Sequence, residues 1–318
     1  MRAVVYDRYG PPDVLRVDDL PTPTPATGQV LVRVVATSIN LSDWETLRGS
    51  PAYSRIGGLR TPRRRVLGSD IAGWVEAVGE GVTAFRPGDE VYGDNLGLKG
   101  GFAEHALAPA SVLAHKPPEL SFAQASTIPQ AGPIALQGTS GAAPGSRVLV
   151  VGGGGGSGSF AIQVAKRLGA HVTGVDNAGK LAFMRSVGAD EVVDHRATDF
   201  TRTDEPYDLV LDLVAHRSMF AYRRAVARGG RYRCVGGTTR AVLRALTVGA
   251  VIGRATGRHL GVLPVKAGPA HFEPLADLVV AGEVAVHVDC TFGLAQVAEA
   301  LAYVGAGRAL GKVVVTTD

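Results

Sequence analysis

Two cysteines in 318 residues are too few for a disulfide-stapled scaffold or a four-cysteine structural metal site. Cys234 and Cys290 stand far apart in sequence, which suits a reducing compartment. The chain also lacks any charge-free apolar run of about 18 residues, so the sequence gives no support for membrane spanning. Its opening, MRAVVYDRYG, lacks the basic-then-apolar pattern of an export signal, and cytoplasmic residence is the expectation. No charge of one sign dominates either, because 33 basic residues stand against 29 acidic ones for a formal net charge of +4. Only Arg63, Arg64 and Arg65 cluster, so neither nucleic acid nor membrane is expected as a partner. Charged residues make up just 19% of the chain and hydrophobic ones 46%, which excludes a disordered protein. The length suffices for two domains, or for one inserted into another.

From Met1 to about Pro117, short β-rich runs alternate with breakers. AVVY (3–6), QVLVRVVATSI (29–39), IAGWVEAVG (71–79) and DEVYG (89–93) read as strands, and PTPTPATG (21–28) and RPGD (86–89) as turns. That pattern predicts an antiparallel, barrel-like domain. From about Ala123, strands over VLVV (148–151), HVTGV (171–175), EVVD (191–194), YDLVLDLV (207–214) and RYRCVG (231–236) alternate with helices over about 157–168, 180–187 and 219–227. Uninterrupted apolar strands between amphipathic helices predict a parallel sheet buried on both faces. After about Gly261 the character is mixed, and the chain closes on KVVVTT (312–317), a strand expected to pair in the N-terminal domain. The architecture is therefore α/β, with a nucleotide-binding domain over 118–260 inserted into a β-rich domain made of 1–117 and 261–318.

Five consecutive glycines in VLVVGGGGGSGSFAIQVAK (148–166) follow the first parallel strand. A G-x-G-x-x-G dinucleotide loop needs its glycines for a tight turn, close approach to pyrophosphate and helix–strand packing. One register fits: Gly153, Gly155 and Gly158. Gly152 and Gly154 fall outside it and are expected to be the least constrained. The tight flanking by a buried strand and an amphipathic helix argues against a flexible linker. Asp176 ends the next strand about 20 residues on, where an acidic residue bonds ribose hydroxyls.

GSDIAGWVEAVGEGVTAFRPGDEVYG (68–93), GGFAEHALAP (100–109), GGGGGSG (152–158) and GKVVV (311–315) resemble, in order, segments of the medium-chain dehydrogenase/reductases. Within that superfamily they resemble the zinc-free quinone oxidoreductase and enoyl reductase branch. The resemblance covers essentially the whole chain. It implies a Rossmann doubly wound parallel sheet inserted into a GroES-like β-rich barrel domain, a small-molecule substrate and a homodimer. Asn40 in INLSD (39–43) replaces the cysteine of the zinc-dependent branch, and Ser69 and Asp70 replace its histidine and glutamate. No metal is therefore expected, since soft and imidazole ligands are missing.

The resemblance also implies roles for residues. Asn40 is expected to face nicotinamide and substrate, its alternative being a turn residue after a strand. Asp43 is expected to support it by hydrogen bonding, its alternative being a purely structural carboxylate. Glu45 stands where the branch commonly has a tyrosine, which puts tyrosine-assisted proton delivery in question; Tyr53 reads as an exposed loop residue, its alternative being a residue that lines a substrate pocket. Ile134 replaces a threonine that would contact the cofactor. Gly156 matches the branch's paired glycine, Val235 and Gly236 bring backbone near the carboxamide, and Lys312 approaches the pyrophosphate. Asp176 argues for NAD(H), whereas Lys180 with His195 or Arg196 would suit the 2′-phosphate of NADP(H), the choice that family habit favours. The expected activity is zinc-independent, NAD(P)H-dependent hydride transfer to a quinone or an α,β-unsaturated carbonyl compound. The alternatives are a zinc-free alcohol or ketone dehydrogenase and a non-catalytic dinucleotide-sensing protein.

Overall fold

The computed structural model describes every residue except Gly57 and Asp318. The first stretch of chain forms β1 (Arg2–Val5), β2 (Arg16–Asp19), β3 (Gln29–Ile39), α1 (Leu41–Arg48), β4 (Asp70–Val78), β5 (Glu90–Asp94), β6 (His105–Pro109) and β7 (Leu113–His115). There follow α2 (Phe122–Ser126), α3 (Ala131–Thr139), β8 (Arg147–Val151), α4 (Gly156–Arg167), β9 (His171–Asp176), α5 (Leu181–Ser186), β10 (Glu191–Asp194), β11 (Tyr207–Asp212) and α6 (Met219–Ala225). The last are β12 (Val226–Cys234), α7 (Thr239–Arg244), α8 (Ala250–Thr256), β13 (His259–Val262), α9 (Pro269–Val280), β14 (Val288–Gly293), α10 (Val297–Gly305) and β15 (Lys312–Thr316).

Two compact units result: Met1–Gly132 with Lys266–Gly282 and the chain from Val286 onward, and Pro133–Val265 with Glu283–Ala285. Residues 118–132, expected in the nucleotide-binding part, thus go with the first unit. The reason is α2, which packs on β3, β4 and β5, with the Phe122 ring 5.4 Å from that of Trp74. Residues 283–285 join the second unit because Gln163 and Ala285 exchange two hydrogen bonds, at 3.0 and 2.8 Å.

In the first unit the strands follow the order β14-β15-β3-β4-β5-β7, with β6 also paired to β3. The eleven residues of β3 reach along β4 on one edge and share the other between β6 and β15. All these pairs are antiparallel except β14 with β15, where α10 makes the crossover that parallel strands require. Val30, Val32, Ile71, Val75 and Val91 fill the space inside the sheet. The closing strand pairs as expected, Val313 lying opposite Ile39.

In the second unit β10-β9-β8-β11-β12-β13 form a sheet whose neighbours are all parallel. The order runs outward from β8 through β9 to β10, then restarts beside β8 with β11. That reversal makes the carboxyl end of β8 the switch point where a doubly wound sheet binds its ligand. Strand β11 stops at Asp212, two residues short of the expected end, because the Asp212 side chain accepts the N–H groups of Val214 and Ala215 and turns the chain. The helical stretch 239–256, including a π-turn at Ala245–Gly249, was not legible in the sequence.

Candidate active site

In the first unit β3 ends at Ile39 and the chain turns at Asn40 into α1. Asp43 is the third helical residue, and its Oδ2 accepts the Asn40 backbone N–H at 3.1 Å, the acidic half of a capping box. Its Oδ1 accepts from the Gly68 N–H at 3.3 Å and from Lys99 Nζ at 3.5 Å. Asn40 donates through Nδ2 to Asp70 Oδ2 at 2.9 Å and to Ser69 Oγ at 3.3 Å, and its Oδ1 accepts from Lys312 Nζ at 2.7 Å. Asp70 Oδ2 also accepts from Ser38 Oγ at 3.1 Å and lies 3.5 Å from Lys312 Nζ. Ladder pairing brings a further carboxylate in, because Asp94 on β5 lies opposite Asp70 on β4.

Asp43, Asp70, Asp94, Lys99 and Lys312 are all buried. Removal from water disfavours the charged forms of Asp70, Asp94 and Lys312. Burial raises the Asp70 carboxyl well above the usual carboxylate range against the opposing pull of Lys312, and Asp94 adds to the rise. Burial likewise raises Asp94, helped by Asp43. Burial also lowers Lys312, against Asp70 and Asp43. Among the described residues, Asp70 Oδ1 and Asp94 Oδ1 find no hydrogen-bond partner. A protonated carboxyl costs far less in such a place than an ionised one.

The structure places Lys312 and Asn40 together in this network. Lys312, expected at a pyrophosphate, is 3% exposed and gives its ammonium to Asn40 and Asp70. Asn40, expected to face nicotinamide, has both ends of its amide engaged inside the unit. At the positions of the zinc ligands, an amide, a hydroxyl and a carboxylate gather beside a fixed ammonium. That donor set does not fit a zinc ion.

In the second unit the glycine loop follows β8. Gly152 and Gly153 both donate their N–H to Val175 O, at 2.8 and 3.1 Å. Gly155 is the N-cap of α4, and a methyl group placed on it would meet only Gly152 O, at 3.6 Å. The loop is therefore open at Gly155, beside the first-turn N–H groups of α4, Gly156 among them, that no helical carbonyl can meet. A methyl on Gly158 would lie 2.1 Å from Gly152 O, so this glycine lets α4 pack against the loop. Gly153 is confined by the Met184 sulfur, 2.8 Å from its added methyl.

Gly152 and Gly154, read as the least constrained, are in fact tightly fixed. Gly152 has a φ of +84°, and a methyl on Gly154 would fall 2.5 Å from Lys180 Cδ and 2.8 Å from its Cβ.

Asp176 ends β9 with both carboxylate oxygens in use. Oδ2 accepts from Gly154 N at 3.1 Å and lies 3.7 Å from Lys180 Nζ, while Oδ1 accepts from Asn177 N at 2.9 Å. Lys180 is buried and turned inward to Asp176. His195 and Arg196 are exposed, and the His195 N–H donates to Asp176 O at 3.1 Å. Arg217, which the sequence did not single out, reaches His195 O at 3.4 Å. Val235 donates to Asp212 O at 2.8 Å, and Gly236 has a φ of +84° with open space where a side chain would start. Cys234 is buried, its thiol pushed up to about 11 by burial, which makes it inert.

Glu45 and Tyr53 also differ from their expected placement. Tyr53 is half-buried, with its hydroxyl 3.4 Å from Glu45 Oε2, and burial pushes the Glu45 carboxyl up to about 7. The departure from tyrosine at position 45 was the only sequence signal, and it pointed to a loss.

Residues 26–118 match the family described as alcohol dehydrogenase GroES-like domain, 120–214 match alanine dehydrogenase/PNT, C-terminal domain, and 187–315 match zinc-binding dehydrogenase. The chain is 30% identical to quinone-oxidoreductase QR1, chloroplastic, of Triphysaria versicolor, over 99% of this chain and 98% of that one. It is also 30% identical to the NADPH-dependent alkenal/one oxidoreductase, chloroplastic, of Arabidopsis thaliana, over 99% of this chain and 79% of the relative. The solved quinone oxidoreductase from Coxiella burnetii superposes with a TM-score of 0.90 at 29% identity, covering 100% of this chain and 99% of the other. With its GroES-like and Rossmann-type parts, the chain belongs to the medium-chain dehydrogenase/reductase superfamily, in its quinone oxidoreductase-like branch.

Proposed function

We propose that the chain is a zinc-independent, NAD(P)H-dependent reductase of quinones or α,β-unsaturated carbonyl compounds. The observation that carries the proposal is the loop at Gly155, open toward the N-terminus of α4 while an added methyl at Gly153, Gly154 or Gly158 would collide with its neighbours. The reduced nicotinamide supplies hydride when bound. Gly153, Gly155, Gly156 and Gly158 bring backbone close to the pyrophosphate, and the first turn of α4 offers it N–H groups and a favourable dipole. Quinones and conjugated carbonyls delocalise the added charge and need no strong Lewis acid, which suits a donor set unfit for zinc. The names of the relatives, quinone oxidoreductase and alkenal/one oxidoreductase, support the same acceptor class.

The proposal favours NADP(H). Asp176 is already satisfied by Gly154, Asn177 and Lys180, which weakens its use for ribose hydroxyls, and His195, Arg196 and Arg217 are the groups offered to a 2′-phosphate. Anaerobic mixing with NADPH or NADH and a panel of quinones and enones, followed at the nicotinamide absorbance, tests the reading. NADPH oxidation with at least one acceptor is expected. Tight NADPH binding with no turnover across the panel would contradict it and favour a dinucleotide-sensing protein. The proposal includes a cytoplasmic homodimer; light scattering that returns the mass of one chain would contradict the dimer.

A further inference from the structure

Residues 213–265, all in the second unit, carry ten arginines and no aspartate, glutamate or lysine. The fold gathers part of this unbalanced charge. Arg231 and Arg233 stand two residues apart on β12, so their side chains leave the same face of the sheet. Pairing with β13 sets His259 opposite Arg231 and Gly261 opposite Arg233. The last turn of α8 adds Arg254, and Arg258 stands in the turn before β13. These five basic side chains line one open cavity of about 640 Å³, and no carboxylate lines it.

Two of the guanidinium groups are fixed by neutral partners. Arg233 Nη1 donates to Gln137 O at 2.6 Å, to Gly138 O at 3.0 Å and to Ser140 Oγ at 2.9 Å. Arg258 donates through Nε to Val226 O at 2.7 Å and through Nη1 to Thr256 O at 2.9 Å. Such partners orient a guanidinium without cancelling its charge. Among the described residues, none of the five makes an ion pair. Burial and then the nearby Arg231 charge hold the Arg233 guanidinium below its usual range. A methyl on Gly261 would meet nothing within 4 Å, so space is left beside Arg233. Like charges held together repel one another, and an anion seated among them is attracted by each. Guanidinium forks match phosphate oxygens in geometry as well as charge.

We propose that this cavity is a second anion site, separate from the dinucleotide loop, for a small molecule carrying a chain of phosphate groups. Strand β13 is the sheet edge opposite β10, three strands from β8 and its glycine loop, about 14 Å at ordinary strand spacing. The cavity has the size of ordinary ligand pockets, and its cations converge on one hollow rather than tracking along a surface as a nucleic-acid backbone requires. Inorganic polyphosphates and nucleoside polyphosphates share the chemistry, and the site does not depend on the reductase reading.

Titration calorimetry of the full chain with inorganic triphosphate and, separately, ATP, each with and without NADPH, tests this. At least one probe is expected to bind once per chain in both conditions. Tighter ATP binding makes the nucleoside part of the ligand; triphosphate binding as tight or tighter assigns the site to the phosphate chain, and both support it. Arg231→Gln with Arg254→Gln, at two exposed positions, should weaken that binding roughly tenfold or more and leave NADPH binding and the urea midpoint unchanged. No saturable binding of either probe, or the same affinity in the double variant, overturns the proposal; if the double variant does not fold, unchanged affinity in both R231Q and R254Q does so. Loss of probe binding once one NADPH is bound per chain overturns it too, because the probe then occupies the glycine loop. Sulfate competing as tightly as triphosphate, or single-stranded DNA binding more tightly than either probe, likewise overturns a small-molecule phosphate site.

Discussion

Replacing Asp70 with asparagine would leave the buried Lys312 amine facing two amides, with only the more distant Asp43 and Asp94 carboxyls to act on it. Removing one partner of a buried pair exposes the desolvation cost of the other, so D70N should lose about 3 kcal/mol in urea unfolding. Adding Lys312→Met to D70N should recover part of that loss, and simple additivity of the two changes would contradict the pairing. Glycine loop substitutions separate two further claims. Gly154→Ala forces a methyl against Lys180 and should cost about 1–3 kcal/mol of stability. Gly155→Val meets open space at a φ of −90° and should keep stability while weakening NADPH binding, read by titration calorimetry. Equal effects on stability would contradict the distinct roles. The fingerprint register at Gly153, Gly155 and Gly158 was legible because it rests on local spacing. The confinement of Gly154 was not, because Lys180 approaches it from a separate turn of chain.

At the scale of elements, the strand β3 and its partner β15 were readable from alternating and β-branched residues. Parallel strands β8, β9 and β11 announced themselves as unbroken apolar runs, and each is buried over nearly its full length. Helix α4 turns Phe160, Ala161, Ile162, Val164 and Ala165 inward, and its first turn is the proposed phosphate site. Ile162→Ala should therefore cost about 3 kcal/mol in stability through a cavity. It should also weaken NADPH binding modestly, through the helix rather than through contact. Loss of affinity without loss of stability would contradict that account. The inward turn of Lys312 at the start of β15 escaped the sequence reading, because it depends on the end of β3, with Ser38 and Asn40, and the start of β4, with Asp70, arriving from two other segments.

At the scale of the whole molecule, the two-part order of the chain was legible from the switch in rhythm near residue 120. The allegiance of 118–132 was not, since it follows from α2 packing on a sheet formed much earlier in the chain. Stability as a function of pH belongs to this scale. A carboxyl raised in the folded state favours folding fully below its unfolded value, and that contribution is lost as pH rises through the folded value. For Glu45 the window runs from 4.5 to about 7. E45Q should therefore gain stability relative to the unaltered protein as pH rises through that window, in paired urea titrations, and a constant difference would contradict the raised carboxyl.

The central claim is that this chain moves hydride from a reduced nicotinamide to a conjugated acceptor. The most direct test supplies an enone and NADPH deuterated at the ring carbon that carries the transferred hydrogen, then locates the label in the product by mass spectrometry and NMR. One deuterium at the β-carbon of the saturated ketone, with the α-hydrogen drawn from water, is the predicted result. A product without deuterium at the β-carbon, or no reduced product from protein that binds NADPH, would contradict it.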